Sequence, residues 1–468
     1  MRFPFDVWPC IIKAVNRRGL NMLEIMKYLR LPLDENIEKA KLSGDFERAL
    51  TMINQRLAGD LVPKAMKQRL RIEQEVLRRL PYDYPLEETG ALALIQKEIP
   101  DFTKEELDGF MDAGDADWFM IHGKRHLHRR FFESLKKVYP QIAQRAGETP
   151  GASTLLDQNI SDMKKNGMAE WRVHLRHTLK IRDEAFVPGK VLVHLPIPAE
   201  CMNMKDIQII RTDPENAYVS DVSHESRTVS FEAELTENRP FSVEYAYTST
   251  VKYVNPDPAE AVMKTYEIKE EEPQLAVTPL IRELADEIAG SETNPLKLAR
   301  MFYDFVTGHV IYSFMREYIT LGLIPDYCAS RLRGDCGVQA LLFIVLCLSK
   351  GIPAKWQSGK YVTPEYCGNH DWAMFYVEPW GWMFADCSFG GSAYRAKAYE
   401  RHDYYFGNLD PFRMAANNGF MKEFDPPKKQ WRIDPYDNQS GEIEYADRGL
   451  PGEDLISECE VIEMHKII

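Results

Sequence analysis

From Trp171 onward the chain alternates. Val173, Leu175, Leu179 and Ile181 are separated by Arg172, His174, Arg176, Thr178, Lys180 and Arg182, a period of two that fits a half-buried β-strand. Similar runs follow at 191–195, 207–211, 228–235 and 241–253, parted by the turn formers Pro188-Gly189, Asp213-Pro214 and Asn238-Arg239-Pro240. Five such strands with no helix between them pair antiparallel and bury one face against a second sheet, which predicts a β-sandwich over residues 151–256. The linker Asn255-Pro256-Asp257-Pro258 closes it.

The flanking regions have other periods, and 468 residues exceed one ordinary core, so the expected class is α+β and multidomain. Residues 1–150 read as helical. Ile37 and Ala40 lead to Gly44-Asp45, Phe46, Ala49, Leu50 and Ile53 resume the helical spacing, and Thr103 to Glu106 form a capping box. The basic run from Lys124 to Arg130 lies in this helical pattern and reads as a solvated or inter-domain face. A net charge of -13 argues against nucleic acid as a partner, because phosphate contacts need a clustered basic face. No run approaches the roughly 20 apolar residues that span a bilayer. Asp6 and Pro9 precede Lys13, Arg17 and Arg18, the reverse of a secretory signal, so no membrane partner and a cytoplasmic location are expected. Eight scattered cysteines make no disulfide framework and are expected to be mostly reduced.

Residues 257–425 mix helices and strands, and 426–468, rich in Pro and Asp, read as an irregular tail packed on them. Asn294-Pro295 caps a helix carrying Leu298, Met301, Phe302 and Phe305. Arg333-Gly334-Asp335-Cys336-Gly337 then runs into Leu341, Leu342, Val345 and Leu348 and stops at Gly351, which places Cys336 at the entrance of a helix of about fourteen residues. There the helix dipole favours a thiolate and exposed amides can receive an oxyanion. Cys347, mid-helix, is packing. Downstream, His370, Trp372, Met374 and Tyr376 share one face of a strand, and Glu378-Pro379-Trp380-Gly381 turns the chain back to Asp386. His370 and Asp386 are sixteen residues apart about a midpoint at 378, so a bulge that shifts the register brings them together on one face. A carboxylate beside an imidazole fixes its tautomer, which completes a Cys336, His370, Asp386 set.

The order of these three residues, the Gly-Asp-Cys-Gly opening, Gly351-Ile352-Pro353-Ala354 after the helix and the following Trp356-Gln357-Ser358 strand resemble the transglutaminase-like superfamily, on a papain-related core, over about 296–391. The resemblance implies a C-terminal papain-like core and agrees with the central antiparallel sandwich before it, while the N-terminal helical domain is not part of the family pattern and its role is unassigned. It also implies attack by Cys336 on an amide carbon, with His370 relaying the proton. By the same resemblance Tyr312 assists the oxyanion, and Gln339, Trp356 and Trp372 line the cleft. The substrate would be a peptide, glycopeptide or other amide, cleaved by water or, in a transglutaminase, passed to an amine. No cofactor or metal is expected.

Two other readings compete. Cys367 and His370, with Cys328, Cys336 and Cys387, could supply a zinc set, although no second close pair matches the first. The core could also be a catalytically silent binding scaffold. His309, at a helix end, suits dipole compensation better than base catalysis, and 402–411 reads as a loop beside the core.

Overall fold

The computed structural model describes residues 22–148, 154–264 and 273–468. The segment before Met22, and with it the expectation drawn from Asp6 to Arg18, lies outside the described residues. Helices and antiparallel sheets both contribute, as expected of an α+β chain.

The first unit opens on the expected hairpin, Glu35–Leu42 and Phe46–Ala58, capped by Asp34 and Asp45. Gly44, between them, has φ +78° and sits so close to Met120 that an added Cβ would lie 2.6 Å from the Met120 carbonyl oxygen. Only glycine fits there. The capping box at Thr103 starts Lys104–Asp112 with both reciprocal bonds formed. The basic run, however, is not helical. Lys124–Leu127 is a strand paired with Trp118–Ile121 and Leu86–Glu87. It is the middle strand of the three, paired on both sides, and its second half, His126 and Leu127, is buried while Lys124 stays exposed. Its last residues are not simply solvated: Arg129 pairs with Asp83 of the same unit at 3.4 Å, and Arg130 stacks on Phe314, outside residues 1–150, at 3.4 Å.

Two four-stranded antiparallel sheets form the middle of the molecule. One orders Leu455–Lys466, Met168–Ile181, Phe241–Lys252 and Met204–Asp213; the other orders Glu442–Tyr445, Gly189–Pro196, Thr228–Leu235 and Tyr218–Val219. Val173, Leu175, Val191, Val193, Phe231 and Tyr245 share their core. The segment 426–468 is therefore not an irregular tail packed on residues 257–425 alone. Glu442–Tyr445 and the twelve-residue strand Leu455–Lys466 complete both sheets, each satisfying an otherwise open strand edge.

The third unit is a five-stranded antiparallel sheet around the hairpin Ala354–Thr363 and Tyr366–Val377, with Arg413–Asn417 on one side and Gly381–Ala385 then Phe406–Gly407 on the other. The helix Cys336–Ser349 is apolar all round and almost entirely buried, as a helix enclosed by other elements must be. It packs on the sheet face that carries Ala373 and Phe375, with Phe343 and Phe375 edge to face at 5.8 Å. The opposite face, with Trp372, Met374 and Phe384, joins the core shared by the two four-stranded sheets. Cys367 and Cys459 form a disulfide that ties this hairpin to the last strand, an exception among cysteines expected to be mostly reduced, because the edge strand lays Cys459 beside the hairpin tip. Cys201, Cys328, Cys336, Cys347 and Cys387 are free.

Candidate active site

Asp335 caps the long helix, accepting from the Val338 amide at 3.3 Å, and so fixes Cys336 as the first helical residue. The Tyr318 hydroxyl donates to the same carboxylate at 2.5 Å. Gly337 is needed beside the thiol, since a side chain there would overlap the Tyr318 hydroxyl and the Asp371 carboxylate. The helix length of fourteen residues is the one expected.

His370 and Asp386 come together as anticipated, but by a different register. Ala373 faces Ala385 and Val377 faces Gly381, so the turn centres on 379 and Asp386 follows on opposite Trp372. His370 is the diagonal neighbour on that face, within reach without any bulge. Its Nε2 lies 2.7 Å from Asp386 Oδ2, and both side chains are buried. Burial works against the Asp386 charge, but His370 and Arg413 outweigh it and hold the carboxyl well below its ordinary range. Burial also lowers the imidazole, with Asp386 opposing.

A second layer fixes Asp386 from behind. Arg413, with no exposed surface, reaches Asp386 Oδ2 at 2.8 Å and Asp410 Oδ1 at 3.0 Å. Asp386 Oδ1 accepts from the Phe389 amide at 3.0 Å, while Asp410 accepts from the Tyr405 hydroxyl at 2.7 Å. Neither Arg413 nor Asp410 was picked out from the sequence. The stretch 402–411 is thus partly structural support for the pair rather than only a loop.

Cys336 is placed otherwise than expected. Its Sγ hydrogen-bonds Asp371 Oδ2 at 3.2 Å, and among the described residues no hydrogen bond joins it to the His370 ring. Consecutive residues of a regular strand point to opposite faces: Asp371 looks toward the helix, while His370 shares the other face with Trp372, 5.9 Å away. Asp371 is held in turn by Gln439, which also donates to Asp437 at 2.7 Å. Burial, with Asp437 and Asp335 nearby, pushes Asp371 well above the carboxylate range. Burial, Asp371 and Asp335 push the Cys336 thiol up as well, the reverse of the shift expected from the helix dipole alone. Asp335 itself is raised to about 6, chiefly by burial.

Of the remaining candidates, Tyr312 lies beside the thiol. Ile311–Tyr312 pairs in parallel with Arg333–Gly334, and Ser313 donates its amide to Gly334 O at 3.2 Å. Gln339, Trp356 and Trp372 are buried and do not line an open cleft. Gln339 Nε2 donates to Gly334 O at 2.9 Å, Trp372 Nε1 donates to Gln357 Oε1 at 2.7 Å, and Trp356 packs edge to face on Phe420 at 5.4 Å. They are aromatic and polar packing under the site, as large rings on a two-sided sheet must be. His309 caps its own helix, its Nδ1 3.1 Å from Phe305 O. The zinc set does not assemble, since Cys367 is spent in the disulfide, and among the described residues no group of three or more ligating side chains could hold a metal ion. No helix among them is long and apolar enough to cross a membrane.

Residues 282–387, the stretch that holds Cys336, His370 and Asp386, match the family model of the transglutaminase-like superfamily. No curated protein matches the chain in sequence. Among solved structures, a Cytophaga hutchinsonii protein provisionally named a cysteine protease is similar at 17% identity and TM-score 0.41, over 63% of this chain and 91% of that one. The periplasmic domain of TgpA from Pseudomonas aeruginosa is similar at 14% identity and TM-score 0.25, over 53% and 96%. A Parabacteroides distasonis protein provisionally named a protease is similar at 11% identity and TM-score 0.22, over 48% and 60%.

Proposed function

Through residues 282–387 the chain belongs to the transglutaminase-like superfamily, and we propose that it is a thiol-dependent acyl-transfer enzyme that hydrolyses an amide bond. Cys336 is the nucleophile, His370 its base and Asp386 the residue that orients the base. The observation that carries this reading is the buried His370–Asp386 pair at 2.7 Å, within the same matched stretch as a cysteine at a helix entrance.

With Nε2 committed to Asp386, Nδ1 is the nitrogen available to take the thiol proton, and it has no other hydrogen bond among the described residues. Because Asp371 and His370 face opposite sides of the strand, the first step is a movement that brings the His370 ring round to the helix entrance as Sγ turns away from Asp371. The thiol proton then passes to Nδ1, the sulfur bonds to the amide carbon, and the imidazolium returns the proton to the departing amine as the C–N bond breaks. Water attacks the thioester and restores the thiol. An amine in place of water would make the reaction a transamidation.

The Sγ–Asp371 bond and the raised thiol also favour a second reading, a silent core that binds a partner. The test is a pool of peptides, glycopeptides and cell-wall fragments incubated with the full chain, followed by mass spectrometry of the peptide containing Cys336. A thioester adduct on Cys336 that disappears in Cys336→Ala supports the enzyme. Turnover that survives Cys336→Ala, or a chain that forms no adduct and leaves the thiol unalkylated by iodoacetamide, overturns it. The Cys367–Cys459 bond favours an oxidising compartment over the cytoplasmic setting expected from sequence.

A further inference from the structure

The wall beside Cys336 is built partly from the N-terminal unit, and it is cationic. Helix Phe131–Val138 lies against the short strand Ile311–Tyr312, where Ser134 Oγ accepts the Phe314 amide at 2.9 Å. This contact lays Lys137 Nζ 3.9 Å above the Tyr312 ring and 5.4 Å from that of Phe314. From the other side Arg395 reaches the same segment, its Nη1 3.4 Å from the Val310 carbonyl oxygen. Tyr312 pairs with Gly334, two residues before the thiol, so both cations border the entrance to Cys336.

Neither Lys137 nor Arg395 has a carboxylate within ion-pair distance among the described residues, and both are exposed. Arg130, over Phe314, is by contrast neutralised by Glu133 at 2.6 Å. The opposing charges near the thiol are Asp335, occupied by Tyr318, and Asp371, occupied by Cys336 and Gln439.

We propose that Lys137 and Arg395 form an anion subsite beside Cys336, so that the substrate carries a carboxylate close to its scissile amide. The helical N-terminal unit thereby sets specificity through one residue. The proposal rests on Cys336 being the reactive thiol of the proposed function. Two unpaired cations flanking an aromatic floor fit an acidic side chain or a chain-terminal carboxylate, with the ring taking the apolar part of the same group.

The probes are iodoacetate and iodoacetamide, which differ in charge and react with the same thiol. Alkylation of Cys336 in the full chain is followed by mass spectrometry at low salt, and the ratio of the two rates is compared between the native chain and variants. Lys137→Met keeps the stem on Tyr312 and removes the charge. The ratio of iodoacetate to iodoacetamide is expected to fall at least about fivefold in Lys137→Met with Arg395→Met, to recover in Lys137→Arg, and to shrink in the native chain at high salt. A ratio unmoved by the variants and by salt, with iodoacetamide still reacting, overturns the subsite and leaves the nucleophile standing. Failure of both reagents on the native chain overturns the nucleophile and the subsite together.

Discussion

Replacing Arg413 by methionine removes one fully buried cation and leaves two buried carboxylates, Asp386 and Asp410, that it had bridged at 2.8 and 3.0 Å. A charge pair about 4 Å apart is worth about 4 kcal/mol at an effective dielectric near 20, and breaking one side of a buried ion pair costs about 3–5 kcal/mol. Each abandoned carboxylate keeps other donors, His370 and the Phe389 amide for Asp386, the Tyr405 hydroxyl and the Phe412 amide for Asp410. The expected loss is therefore that of about one pair, about 3–5 kcal/mol, rather than two. Urea unfolding followed by tryptophan fluorescence measures it, with Trp356 and Trp372 as buried reporters. The sign with pH is fixed by linkage. Without Arg413 the Asp386 carboxyl loses one of the groups that hold it low and titrates higher in the folded chain, so acidification protonates it sooner in the variant and narrows the deficit. A deficit below about 1 kcal/mol, or one that does not narrow on acidification, would refute the view that Arg413 neutralises this pair.

Three further outcomes follow from the same geometry. Gly44→Ala, forced into a left-handed conformation at φ +78° and against the Met120 carbonyl, is expected to cost more than about 1–2 kcal/mol in the same unfolding assay, and a smaller change refutes the close approach. Because Asp386 is held below its ordinary range when folded, its contribution is present above the unfolded value of about 3.9 and lost as pH falls through the folded one; Asp386→Asn should flatten the acid limb of stability against pH, and an unchanged limb contradicts the pairing. Asp371→Asn removes a carboxylate that opposes the Cys336 thiolate, so the alkylation profile of Cys336 should move to lower pH; an unmoved profile shows that Asp371 does not act on the thiol, and an upward shift that it favours the thiolate instead.

Much of the site was legible because it rests on two local periods. Capping by Asp335, the helix run to Leu348 and Gly351 beyond it place Cys336, and even spacing places His370 and Asp386 on one face. The register was misjudged by a single position in the turn centre, and the diagonal contact made the bulge unnecessary. Asp371 was overlooked although the sequence held a signal: it is a charged residue in the series with Ala373 and Phe375 that faces the helix. Arg413 and Asp410 could not be found, since nothing local ties them to Asp386 27 and 24 residues away. The strands Glu442–Tyr445 and Leu455–Lys466 were hidden by the Pro-rich approach to them, and the second, a half-exposed edge strand, shows only weak alternation.

The claim on which the account turns is that His370 activates Cys336, although the thiol is hydrogen-bonded to Asp371 in the resting arrangement. The direct measurement is the rate of Cys336 alkylation by iodoacetamide across pH 5–9, in the native chain and in His370→Ala. The account predicts a reactive limb near neutral pH in the native chain that disappears in His370→Ala and leaves only titration of an ordinary thiol near about 8.5 or above. Identical profiles in the two proteins would show that imidazole and thiol do not act together, and would leave the core as a scaffold.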